Sequence, residues 1–154
     1  MDPLVERAKP AIHKLFQSDE PQLYEELGLR LKAIAADESL SGFFEPQIGY
    51  NAEFMGPLDD LRAFGQKFFD KTSREAYSLM CGGGLSKEER EKMSAAFGSK
   101  TDLAAFVAAL LVSHFAMAPA IAAVVGALVL RLFFRPAHEA MCEVWSQHIR
   151  QANN

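Results

Sequence analysis

Apolar positions recur at helical spacing along almost the whole chain. Leu4, Ala8, Ala11, Ile12, Leu15 and Phe16 predict a helix over 3–17, with Asp2 as its N-cap, Pro3 at the first helical position and Pro10 as the source of a kink. Leu23, Leu27, Leu31 and Ile34 predict a second helix over 20–37, opened by Ser18 or Asp19 with Pro21 in its first turn. Leu29 falls on its opposite side, so this helix should touch two neighbours. The clearest stripe lies in 57–81, where Leu58, Leu61, Gly65, Phe68, Phe69, Thr72, Ala76, Leu79 and Met80 share a face from which Asp59, Asp60, Lys67, Lys71 and Glu75 fall away. Gly82, Gly83 and Gly84 end it, and Ser86 with Glu89 forms a capping-box pattern that starts a short charged helix to about Phe97.

The pattern then changes. From Leu103 to Leu130, 28 residues pass without an Asp, Glu, Lys or Arg. Thr101 or Asp102 should cap this run, and Pro119 divides it into helices over 103–117 and 119–134, with a last helix over 136–151. Its length passes the threshold of about 18 residues for a membrane span, but each arm of about 15 residues reaches only roughly 22 Å against a hydrocarbon core of about 30 Å. Ten of the 28 residues are alanine, and the other helices carry apolar stripes that need a central partner. A buried hairpin at the centre of a bundle is the expectation. Ala118, Ala122 and Gly126 form a ridge of small residues along it, a pattern that suits membrane and water-soluble bundles alike.

One connection breaks the helical rhythm. SGFFEPQIGYNAEFMGP, residues 41–57, is long for a helix–helix loop and rich in large apolar side chains. Ile48, Tyr50, Ala52 and Phe54 alternate with Gln47, Gly49, Asn51 and Glu53, which reads as a short extended segment over 47–54. A lone strand has unpaired edges, so the segment should either pack its aromatics onto the helical core or pair with a second copy or a partner peptide.

Composition and charge narrow the functional classes. With 49% hydrophobic and 23% charged residues the chain is too apolar for disorder, and at 154 residues it has the length of one domain. A net charge of -4 gives no basic field for a phosphate backbone, and nucleic acid is not an expected partner. Glu6, Arg7 and Lys9 stand where the apolar core of a signal peptide would begin, and Cys81 and Cys142 form no CxxC pair, so a reducing, cytoplasmic setting is the expectation.

Candidate chemistry is sparse. HEAMCE places His138 and Cys142 four residues apart on one helix face, the weak beginning of a metal site, but it is HExxC rather than HExxH, and its third ligand is undefined, with His148 or His114 able to approach from elsewhere. His138, Met141, Cys142, Trp145 and Ile149 also share one stripe, which makes His138 and Cys142 boundary core residues; no metal and no cofactor is expected. CGGGLS and FGSKT lack the spacing of a phosphate loop and read as helix ends. Ser113 and His114 point about 100° apart on a helix and make no dyad. No catalytic constellation is recognisable, so no enzyme is expected.

Together these features predict a single all-α domain of five to seven helices around a buried apolar hairpin. The expected function is a non-enzymatic interaction or regulatory module, a dimer or a binder of another protein, whose surface includes Phe43, Phe44, Ile48, Tyr50, Phe54 and Met55. Two alternatives stand beside it: a membrane-active protein that inserts 103–134, and a carrier of an apolar small ligand held between the hairpin and the Phe-rich helices.

Overall fold

A computed structural model describes residues 3–152, so the proposed N-cap Asp2 lies outside the described residues. The described chain is all-helical, in the order α1 (Pro3–Leu15), α2 (Glu20–Ala36), a 3-10 turn (Glu38–Gly42), α3 (Ala52–Met55), α4 (Leu58–Cys81), α5 (Lys87–Ala96), α6 (Lys100–Phe115), α7 (Pro119–Phe133) and α8 (His138–Ala152). Seven of the eight α-helices are the predicted ones. The eighth, α3, occupies the second half of the segment that alternates like a strand.

Local chemistry accounts for that difference. The Asn51 side chain accepts from the amides of Glu53 and Phe54, and Gly56, at φ +84°, stops the turn after four residues. No strand occurs among the described residues, so an extended 47–54 would have had no neighbour for its backbone groups.

Most helix starts follow the sequence. Asp19 and Ser86 each close a capping box, with Gln22 and with Glu89. The apolar run is an exception. Ser99, rather than Thr101 or Asp102, caps α6: its hydroxyl accepts from the Asp102 amide at 3.2 Å, which makes Asp102 the third helical residue. Where α5 meets the far end of α6, Glu89 lies 2.7 Å from His114 Nε2. That hydrogen bond first, and the Ser86 amide second, hold the Glu89 carboxyl below its ordinary value.

The hairpin of α6 and α7 is the core. Every residue from Leu103 to Leu111 and from Ala120 to Leu130 is buried. The two arms approach closely because Gly126 lies against α6, where a Cβ would stand 2.8 Å from the Ala104 carbonyl oxygen. Helix α1 packs on α6, α2 on α7, and α5 on α6, while α4 and α8 close the remaining side of α7. Phe69 of α4, Phe133 of α7 and Trp145 of α8 form a stack with ring centroids 6.4 and 5.2 Å apart, and the Trp145 indole donates to the buried Ser73 hydroxyl at 2.8 Å.

A second close crossing joins α2 to α4. A Cβ on Gly28 would lie 2.1 Å from the Leu61 carbonyl oxygen, and one on Gly65 would lie 2.0 Å from that of Tyr24. Backbone is in contact with backbone there, and Leu29, on the far side of α2 from its main stripe, joins the satellite cluster of Ala33, Met55 and Leu61 that this crossing creates. Gly28→Ala and Gly65→Ala should therefore each destabilise the fold by about 3 kcal/mol, read as a shift in the urea midpoint with little change in slope. Ala116, at φ 52°, ends α6 in the left-handed region although it carries a Cβ. Ala116→Gly should raise stability by about 1 kcal/mol in the same assay.

Candidate functional site

The connection between α2 and α4 is anchored from below by one arginine. Arg30 lies three residues after Leu27 and four before Ile34, on the apolar stripe of α2, and is only 3% exposed. Its guanidinium donates to the Phe44 carbonyl at 2.8 Å, to the Ala120 carbonyl at 2.8 Å and to the Glu26 carboxylate at 2.6 Å. One buried cation thus ties the connection, the start of α7 and its own helix together, with its charge balanced by a half-buried partner. Arg131 plays a similar part at the other end of α7, donating to the Phe16 and Ser18 carbonyls in the turn between α1 and α2.

The six residues expected to form a recognition surface divide. Phe43, Tyr50 and Phe54 are 60%, 44% and 62% exposed, and Ile48 is half-buried. Phe44 and Met55 are buried, which corrects their place in that surface. Phe44 enters the main core with the Arg7 guanidinium 5.7 Å above its ring, and Met55 joins Ala33 and Leu61. They hold the segment down while its other aromatics face out. The Tyr50 hydroxyl donates to the Gly56 carbonyl at 2.6 Å, closing the loop on itself, and Lys14 pairs with Glu45 at 2.7 Å.

Between this connection, α2 and the start of α4 lies an open cleft of about 430 Å³. Leu29, Ile48, Tyr50 and Leu58 supply its apolar wall, and its polar wall is made of ion pairs: Glu45 with Lys14, Glu26 with Arg30, and Glu25 with Arg62. Leu58 is itself 46% exposed, and Phe64, one turn and a half further along α4, is 41% exposed with Lys32 4.9 Å from its ring centroid. Leu58 and Phe64 were not part of the sequence expectation because they were assigned to helix α4 rather than to the connection.

A second constellation lies where α4 ends. Helices α4 and α8 run antiparallel, since Ser73 and Tyr77 meet Trp145 while Met80 and Cys81 meet His138 and Cys142. Cys81 and Cys142 are joined in a disulfide across a sequence separation of 61, with their Cα atoms 5.9 Å apart. The two cysteines form no CxxC motif yet are paired by the fold, which removes the support that unpaired thiols lent to a reducing compartment. His138 donates from Nε2 to the Met80 carbonyl at 2.9 Å and lies 3.4 Å from Cys142 Sγ. The group completing the His138 and Cys142 pair is Cys81, not His148 or His114. His148 packs on Phe133 within 4.0 Å of Asp70, and His114 is engaged by Glu89.

No protein-family model, curated protein or solved structure matches the chain.

Replacing Arg30 with leucine should test the anchor. Arg30→Leu leaves the Phe44 and Ala120 carbonyls without their charged donor and should cost about 3 kcal/mol. Limited proteolysis should then cut first within 43–50, before the helices are attacked.

Proposed function

We propose that the chain is a non-enzymatic binding module whose cleft beside the 41–57 connection receives a segment of a partner protein carrying apolar side chains flanked by lysine or arginine. The observation that carries this reading is a set of exposed aromatics beside an excess of acid over base: Lys14, Arg30 and Arg62 answer Glu45, Glu26, Glu25 and Asp59, and Glu53 and Asp60 stand beyond those pairs. Phe43, Tyr50, Phe54 and Leu58 stand exposed in a stretch that holds Glu45, Glu53, Asp59 and Asp60, and no Lys or Arg occurs from residue 43 to 61. Exposed aromatic side chains serve as binding anchors, and the net acidic excess around them steers a basic partner toward them.

The same charge argues against a second copy as the occupant. A two-fold dimer through this face would set the acidic stretch against itself, and like charges brought together oppose association. The buried Phe44, Met55 and Arg30 favour a preformed surface, so little ordering cost falls on binding.

The test uses two synthetic amphipathic peptides with the same leucine pattern, one flanked by lysine and one by glutamate. Titrated into isotopically labelled protein, the lysine peptide should shift amide resonances within 43–58, weaken as salt is raised, and lose its effect in a Tyr50→Ala, Phe54→Ala double variant. Equal binding of the two peptides, or shifts confined elsewhere, would overturn the reading. A concentration-dependent dimer abolished by the same double variant would replace the partner with a second copy.

The membrane alternative asks more of the fold. Among the described residues no single helix is long and apolar enough to cross a bilayer, and the one bent pair that reaches the length, α7 with α8, turns through 99°. Lipid contact by 103–134 would require stripping α1, α2, α4 and α8 from the hairpin. Protein purified without detergent should stay in the soluble fraction in liposome flotation at neutral and mildly acidic pH. Rising with the vesicles would make the hairpin the functional element.

A further inference from the structure

Cys81, His138 and Cys142 place two sulfurs and one imidazole nitrogen within 4.8 Å of one another. All three side chains are half-buried, at the seam of α4 and α8, so a small reagent can reach them although bulk water does not surround them. Tetrahedral zinc, with bonds of about 2.3 Å to sulfur and about 2.0 Å to nitrogen, sets a ligating sulfur and nitrogen roughly 3.5 Å apart. The His138 Nε2 to Cys142 Sγ distance is 3.4 Å, already that of two groups sharing one ion.

We propose that in its dithiol state this cluster binds a single zinc-class ion through Cys81, Cys142 and His138, and that the disulfide is the closed state of the same site. Two thiolates and an imidazole select zinc over magnesium or calcium, which take oxygen ligands. With three protein ligands the fourth position is left to water or to an outside ligand. The site is independent of the docking cleft and stands whether or not that reading holds.

The conversion balances with a dithiol reductant. One of its thiolates attacks a sulfur of the Cys81–Cys142 bond, its second thiol displaces the resulting mixed disulfide, and the reductant leaves as its own disulfide with two electrons transferred to the protein. Zinc then takes the two cysteine sulfurs as thiolates, and the two thiol protons go to solvent. His138 gives up its hydrogen bond to the Met80 carbonyl, and the neutral ring carries its proton on Nδ1 while Nε2 ligates.

The experiment uses the whole chain, either oxidised or reduced with a phosphine that is removed before metal is added. Cobalt(II) titrated into the reduced protein should give a thiolate-to-cobalt charge-transfer band saturating at one ion per chain, and zinc(II) should bleach it. The oxidised protein should show no band. His138→Gln, which keeps both sulfurs and a polar side chain, should weaken zinc binding by more than about tenfold. Circular dichroism should show the helices retained after reduction, with thermal stability rising when zinc is added. A reduced, helical protein without the cobalt band would overturn the proposal, as would a band unchanged by His138→Gln. So would loss of the helical signal on reduction that zinc does not restore, since the disulfide would then be a clamp and nothing more.

Discussion

The residues from Leu103 to Leu130 include no Asp, Glu, Lys or Arg, and away from its exposed tip at 113–116 a helical hairpin made from them has no face it can turn to water. Helices α1, α2, α4, α5 and α8 are arranged by that constraint. A single amphipathic helix covers only one side of a buried cylinder, so α7 is met by α1, α2, α4 and α8 as well as by its own partner α6. Most jacket helices need only one apolar stripe in turn, and α2 carries a second side, with Leu29, for its crossing with α4. The cost falls on the turns between them, whose carbonyls lie at the edge of a dry core, and Arg30 and Arg131 serve these from half-apolar positions. A long side chain with a forked cationic end can reach several carbonyls at once, which a lysine or a glutamine does less well.

Much of this was legible because amphipathic helices announce their period, and because the caps at Asp19 and Ser86 are complete four-residue patterns. The alternation over 47–54 misled for a physical reason. Period two is a strand signal only where a neighbouring strand exists, and within that stretch the stronger local facts are the capping asparagine and the following glycine. Ser99 was passed over as a cap because Thr101 and Asp102 stand nearer the apolar run. Arg30 was readable in principle, as a cation at a stripe position of α2, whereas its two carbonyl partners come from positions 14 and 90 residues away.

The two candidate sites differ in the same way. Aromatic side chains in a long connection are visible in one dimension, and only their division into anchors and exposed groups needed the fold: Phe44 and Phe43 are neighbours in sequence and opposites in burial. The cysteine and histidine cluster was half visible, since His138 and Cys142 share a helix face whatever the fold. Its third member is set by the antiparallel pairing of α4 with α8, a tertiary fact that no window of local sequence contains.

The bond from Cys81 to Cys142 also divides the chain in a way that matters for force. It closes a covalent loop that contains α5, α6 and α7 entire. Tension applied between the two ends of the oxidised molecule would run along α4, cross the sulfurs and leave through α8, without passing through the hairpin. The most apolar part of the protein is thus in parallel with the load path rather than in series with it. A pull strong enough to peel away the jacket would still find those three helices held in a ring, with a shorter contour to extend than the sequence alone suggests.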